Sequence, residues 1–170
     1  MPIKSTKKMD IKKSIKVILI DFDGVLTDNF VYVSEEGLES VRCSRSDGLA
    51  INILKKYGYK LYIFSTETNF VVLSRAKKLR IDVIQGINNK KEFLIDWARK
   101  KNFDLNSILY IGNDINDYGA MQLCGIKVCP LDSHESIKKI SDFIIDKKGG
   151  EGVITGLLEI LDIDYLDFFK

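Results

Sequence analysis

Short, wholly apolar runs alternate along the chain with longer stretches whose apolar positions recur every three or four residues. The runs at 17–20, 61–64, 83–84, 108–111, 126–128 and 143–145 predict strands buried on both faces. Helical spacing predicts helices over 48–57, 69–79, 90–101, 116–123, 134–140 and 153–161. In the second of these, Val72, Ala76 and Leu79 fall on one face, and Thr68 or Asn69 is placed to cap it. Strands separated by helices pair in parallel through right-handed crossovers. The expected fold is therefore α/β, a Rossmann-like three-layer sandwich with a mostly parallel sheet. One segment breaks the alternation. Phe30-Val-Tyr-Val33 and Ser40-Val-Arg-Cys43 flank Ser34-Glu-Glu-Gly37 and predict a β-hairpin directly after the first strand.

The chain has 170 residues, 45% hydrophobic and 29% charged, which favours one globular domain with an ordinary core. The net charge of +2 implies no general attraction to nucleic acid. Lysines 4, 7, 8, 12, 13 and 16 crowd the start, and residues 1–13 are expected to form a solvated, disordered tail ahead of a domain over 14–170. Cys43, Cys124 and Cys129 lack metal-ligand spacing and read as free thiols of a reducing compartment. No apolar run reaches the ~18 residues of a membrane span. The apolar run after the basic start is too short for a signal core, so a cytoplasmic location is expected.

The chemistry begins where the first strand ends, at Asp21-Phe-Asp-Gly-Val-Leu-Thr-Asp28. In open α/β sheets, ligands bind beyond the carboxyl ends of strands. Two neighbouring carboxylates there repel unless a cation or a shared proton relieves them, and a hard divalent cation such as magnesium suits oxygen ligands. An Asp–Gly turn without chemistry is the competing reading of this segment alone.

Three further segments follow in order: Ser65 in Ile63-Phe-Ser-Thr66, Lys90 in Gln85-Gly-Ile-Asn-Asn-Lys90, and Gly112-Asn-Asp-Ile-Asn-Asp117. Together with the acidic pair they resemble the four motifs of the haloacid-dehalogenase-like phosphatases, over about residues 14–162. The finer resemblance is to the small-cap branch, the 3-deoxy-octulosonate 8-phosphate and nonulosonate 9-phosphate phosphatases. It rests on a cap that is only a hairpin, at about 29–44, followed by Ser46-Asp-Gly-Leu49, on Gln85-Gly86 with Lys90 four residues on, and on Lys148-Gly-Gly-Glu-Gly152. Glu67-Thr-Asn69 and the Gly112-Asn-Asp114 segment are also similar to the phosphatase-like domains of CMP-sialate synthetases.

The resemblance implies a magnesium-dependent phosphatase. Asp21 is the expected nucleophile and a metal ligand. Asp23 is the expected general acid–base and binds the metal through its backbone carbonyl. Ser65 and the Thr66 backbone N–H are expected to hold phosphate oxygens, with Lys90 adding positive charge. Asp117 is expected to orient the metal or Lys90. Asn113 departs from the pattern, which has Asp as a side-chain metal ligand. An amide oxygen can replace it with one negative charge fewer, so weaker magnesium binding is expected, and Asp114 is the candidate to compensate.

The implied substrate is a phosphorylated 2-keto-3-deoxy sugar acid. Glu67 stands where the eight-carbon branch carries Arg. With Lys78, eleven residues on, it resembles the nine-carbon branch, so Glu67 and Lys78 are candidate substrate contacts. A helix-surface ion pair is the alternative for the two. Relatives with a cap this small form homotetramers, and Phe30, Val31 and Val33 or the segment 160–169 could meet a partner. Two rival classes stand against the enzyme. A non-catalytic oligomerisation module would account for Asn113. A two-component receiver would need its acceptor Asp on a middle strand, where none is seen.

Overall fold

The computed structural model describes residues 12–169. The expectation of a disordered tail falls outside them apart from residues 12 and 13. Six strands form one parallel sheet: β1 (Val17–Ile20), β4 (Lys60–Phe64), β5 (Asp82–Ile84), β6 (Ile108–Ile111), β7 (Ile126–Pro130) and β8 (Phe143–Ile145). Their order across the sheet is β5-β4-β1-β6-β7-β8. The predicted strands extend by at most two residues at either end, because ladder pairing continues past the apolar run.

Six helices connect and cover the strands: α1 (Arg45–Lys56), α2 (Phe70–Leu79), α3 (Lys90–Lys101), α4 (Ile115–Met121), α5 (Glu135–Ile140) and α6 (Val153–Ile160). Strand alternation sorts the core into two layers. Ile18, Ile20, Leu61, Ile63, Leu109 and Ile111 pack with α1, α2 and α6. Val17, Leu19, Tyr62, Phe64, Ile108 and Tyr110 pack with α3, α4 and α5. Trp97 is one of the latter set, edge-on to Tyr62 with ring centres 4.9 Å apart. Asn69 caps α2, its side chain accepting from the Val72 N–H, and His134 caps α5 by accepting from Ser136.

Helix α1 starts three residues ahead of the predicted 48–57. Ser44 supplies an extended entry, and Gly48 is taken inside the helix rather than ending it. Two pieces, β2 (Tyr32–Val33) and β3 (Glu39–Ser40), form the antiparallel hairpin, much shorter than the predicted 30–33 and 40–43. Residues 30–40 are all exposed, so little packing draws their backbone into a longer ladder. Among the described residues, no helix is long and apolar enough to cross a membrane. The segment 160–169, a candidate interface by sequence, puts Leu161 and Ile163 in the core, and among its described side chains Leu166 and Phe169 are the large apolar ones at the surface.

Asp47 ties α1 to α6. Its Oδ1 accepts from the Ile154 N–H at 2.9 Å and the Thr155 N–H at 3.1 Å, capping a helix whose own entry residue is Gly152. Burial pushes its carboxyl up to about 6, against the two N–H bonds that draw it down. A proton thus binds Asp47 more tightly in the folded chain than in the unfolded one. The fold gives up stability from this group as pH rises from the ordinary carboxylate value toward about 6. Asp47→Asn keeps an acceptor for both N–H groups and should flatten that part of the profile. Asp47→Ala should cost about 1–2 kcal/mol. Melting curves between pH 4 and 7, roughly the span separating the two pKa values, check both; an unchanged slope in Asp47→Asn refutes the assignment.

Candidate active site

The chain runs from β1 to β4 on one side and later reaches β6 on the other, so the sheet reverses its winding at β1. Crevices at such switch points collect ligands. Asp21 extends β1 by one residue, its N–H donating to the Ile111 carbonyl at 2.9 Å. This sets its side chain at the carboxyl edge of the sheet. The following turn is anchored by buried Phe22, Val25 and Leu26. Gly24 has φ of 81°, and a Cβ there would collide with the Asn113 amide, so both its backbone and its bareness are needed.

Lys90, the first residue of α3, is almost fully buried and reaches Asp21 Oδ1 at 2.8 Å and Asp117 Oδ1 at 2.6 Å. Asp117 is held from every side. Tyr110 Oη donates to its Oδ1 at 2.8 Å, and the Asn113 N–H donates to its Oδ2 at 3.0 Å. Asp117 thus meets Lys90 directly. Tyr110 escapes sequence reading, because it sits inside an apolar strand run and its hydroxyl gains meaning only from the residue it meets.

Burial pushes the Asp21 carboxyl up to about 8, with Asp117 adding to the rise and Lys90 opposing it. Burial draws Lys90 down, but Asp21 and Asp117 outweigh it and raise the ammonium above its ordinary value. The Asp23 carboxyl is raised by burial, lowered by a hydrogen bond from Thr27 and raised again by Glu67. Thr27 Oγ1 donates to Asp23 Oδ1 at 3.2 Å and accepts from the Gly24 N–H at 3.2 Å, so it ties the turn to the carboxyl it presents. Thr27 lies inside the first acidic segment, and only its contacts give it this role.

Asn113 is buried against Gly24. One end of its side-chain amide lies 2.9 Å from the Asp23 carbonyl oxygen and 3.0 Å from Asp21 Oδ2. Asp114 does not join this group. Its exposed carboxylate accepts from the Ile115 N–H at 2.7 Å and caps α4, a local bond that turns it away from Asp21. The idea that Asp114 restores the charge absent at Asn113 is thus not supported by its placement. Among the described residues, no three His, Cys, Asp or Glu side chains form a metal-holding cluster. The hard donors at this point are one carboxylate, one backbone carbonyl and one amide.

Buried Ser65 ends β4 on the same edge, its Oγ accepting from the Glu67 N–H at 3.1 Å, with half-buried Thr66 next to it. A recess of about 220 Å³ opens beside the turn, lined by Asp23, Phe30, Val31, Glu39, Glu67 and Asn69 among others. Asn69 Nδ2 donates to Glu39 Oε2 at 2.9 Å, joining the hairpin to α2. Lys78 is elsewhere. It lines another recess with Arg45, Asn52 and Arg75, so the structure does not bring it to Glu67 within one chain. Eight residues of helix, about 12 Å, separate it from the start of α2.

The glycine segment before α6 does reach the site's support. The Gly150 N–H donates to the Val25 carbonyl at 3.0 Å, and a Cβ on Gly149 would strike the Gly24 carbonyl. Arg42, at the base of the hairpin, pairs with Asp28 at 2.8 Å and approaches Glu151 at 3.9 Å. The cap, the acidic turn and the C-terminal strap are thus one linked assembly.

A parallel sheet with an acidic turn after its first strand and a buried Lys from a later helix define the site of a phosphoric monoester hydrolase on a Rossmann-like fold. The chain belongs to the haloacid dehalogenase-like hydrolase family, whose model matches residues 55–157. It is 26% identical, over 92% of its length and 84% of the relative's, to the 3-deoxy-D-manno-octulosonate 8-phosphate phosphatase of Salmonella typhi. Among solved structures, it is similar to the 3-deoxy-D-manno-octulosonate 8-phosphate phosphatase of Moraxella catarrhalis, crystallised with magnesium, phosphate and KDO. The identity is 31%, the TM-score 0.88, and 97% of each chain is covered. A HAD family hydrolase candidate from Streptomyces avermitilis matches at 35% identity and a TM-score of 0.85, covering 88% of this chain and 86% of that one.

Proposed function

We propose that this chain is a magnesium-dependent phosphatase that hydrolyses a phosphorylated 2-keto-3-deoxy sugar acid. The observation that carries the reading is the buried Lys90 ammonium bridging Asp21 and Asp117 on the edge where Ser65 also emerges. The Salmonella and Moraxella relatives, both 3-deoxy-D-manno-octulosonate 8-phosphate phosphatases, support the eight-carbon substrate. Glu67 in the recess beside Asp23 supports a nine-carbon nonulosonate 9-phosphate.

Asp21 Oδ2, the Asp23 carbonyl and the Asn113 amide oxygen would hold magnesium, and their hard-oxygen chemistry fits it. Bound there, the cation would offset charge on Asp21 and on the phosphoryl oxygens. The Asp21 carboxylate attacks phosphorus, forming an aspartyl-phosphate as the bond to the leaving oxygen breaks. Asp23, kept protonated to higher pH than an ordinary carboxyl by its burial, gives its proton to that oxygen. It then takes a proton from the water that attacks phosphorus, releasing phosphate and restoring Asp21. Ser65, the Thr66 N–H and Lys90 balance the charge on the transferring group. Asp117 and Tyr110 hold Lys90 in line.

The test is turnover of the eight- and nine-carbon phosphates with and without magnesium, with Asp21→Asn as the control. Equal efficiency on both discards the inference from Glu67. No turnover of either, or of an aryl phosphate, favours the non-catalytic module that Asn113 suggests.

The hairpin over 29–44 serves as the cap but covers little by itself. Phe30, Tyr32, Val33 and Leu38 are each more than 60% exposed, and Phe70 is 82% exposed close by. That apolar surface supports a homotetramer in which a neighbouring copy closes each site. Light scattering at micromolar protein should give four times the chain mass of 19.4 kDa; a monomer mass contradicts the assembly.

A further inference from the structure

The strap over 147–152 meets the acidic turn with bare backbone. A Cβ on Gly149 would strike the carbonyl oxygens of Gly24 and Thr27, and one on Gly150 would strike the Asp28 nitrogen. The Gly150 N–H donates to the Val25 carbonyl at 3.0 Å. The strap thus presses on the peptide units that carry Thr27, and Thr27 Oγ1 is the donor to Asp23 Oδ1. Asp21 is set by other means. Its N–H donates to the Ile111 carbonyl in line with the β1 ladder, and its Oδ1 accepts from the Phe22 N–H and from Lys90. The two carboxyls of the turn therefore have separate supports.

Two carboxyl groups hold the strap, one at each end. Asp47 accepts from the Ile154 and Thr155 N–H groups where α6 begins. Asp132, an exposed residue of the loop after β7, accepts from the N–H of buried Gly149 at 3.0 Å, giving that backbone donor its partner. The same loop donates from the Leu131 N–H to the Lys147 carbonyl at 2.9 Å, so the strap stays attached without Asp132 but loses its seat at Gly149. We infer that Asp132 is a positioning residue for the general acid. By fixing Gly149 it keeps the strap seated on the turn, and so fixes the direction in which Asp23 offers its proton to the leaving oxygen. This rests on the role of Asp23 in the proposed function. The consequence is a defect that depends on the substrate. A sugar alkoxide has to be protonated as it leaves, whereas para-nitrophenolate departs without a proton. Attack by Asp21 is common to both.

The test measures turnover at saturating magnesium by the full chain, Asp132→Ala, Asp132→Asn and Gly149→Ala. The substrates are the eight- and nine-carbon sugar-acid phosphates and para-nitrophenyl phosphate. Asp132→Ala should lower kcat on the sugar-acid phosphate by about tenfold or more, with KM unchanged, as a misplaced catalytic group does. Its kcat on the aryl phosphate should stay near the parent's. Asp132→Asn keeps an acceptor for the Gly149 N–H and should restore the parent rate. Gly149→Ala forces the strap off the turn and should show the same substrate dependence more strongly. Amide hydrogen exchange gives a reading that needs no activity. In Asp132→Ala the Gly149, Gly150 and Gly24 N–H groups should exchange faster, and those of β1 at the parent rate. Equal loss on sugar-acid and aryl phosphates, or an Asn variant as slow as the Ala variant, overturns the link to Asp23. Unchanged exchange in Asp132→Ala overturns the seating of the strap. A parent that turns over neither sugar-acid phosphate overturns the proposed function and this assignment with it, whatever the exchange shows, which tells the two failures apart.

Discussion

Asp21→Asn is expected to lower the rate of phosphate release by about 10⁴-fold or more, with a fold that still unfolds cooperatively. The amide keeps the size of the side chain and an acceptor for the Phe22 N–H and for Lys90, which now meet Asp21 Oδ1 at 2.8 Å in both cases. What it loses is the nucleophile, because an amide oxygen does not form the acyl-phosphate bond. The structural cost is small, since burial already disfavours charge at this position. Phosphate release and a melting curve on the same sample separate chemistry from folding. Retention of even a tenth of the parent rate would remove Asp21 from the mechanism.

Lys90→Met is expected to damage both stability and activity. The Lys90 side chain has no exposure, and it is the cation between two buried carboxylates. Truncating one partner of such a cluster typically costs about 3–5 kcal/mol, because the remaining charges are left without a counter-charge. The sign with pH follows. Without Lys90 the folded-state pKa of Asp21, already about 8, rises further, so the part of the variant's deficit due to this group grows as pH rises through about 8 and is level below it. Adding Asp117→Asn removes one of the stranded charges and should recover part of the loss. Turnover should fall by at least about 10²-fold, the usual loss for a preorganised positive group. Urea titrations about one to two pH units below and above the Asp21 value of about 8 measure the stability part. A loss below about 1 kcal/mol at the higher pH would mean that Lys90 is not compensating buried charge.

Much of the sheet was legible because its strands are buried on both faces and so read as unbroken apolar runs. The hairpin was legible in place but not in length. Its ladder is short where nothing packs on it, and β-rich composition alone does not measure packing. Asp114 shows the limit of adjacency in sequence. It stands next to Asn113, yet a local cap bond to Ile115 turns its carboxylate outward. Lys78 shows the limit of motif spacing, since the length of a helix carries it into a different recess from Glu67.

Residue order alone determined the alternation of strands and helices and the placing of Asp21, Ser65, Lys90 and Asp117 at strand ends or helix starts. Periodicity and chain direction are enough for that, because every parallel strand delivers its following residue to the same edge. Only the tertiary structure decided that Tyr110 and Asp117 hold Lys90, that Thr27 ties down Asp23, and that the Asn113 amide lies against Asp21 and Asp23 over Gly24. Those contacts join segments far apart in the chain or depend on bond directions within a few tenths of an ångström, and neither is encoded in local pattern.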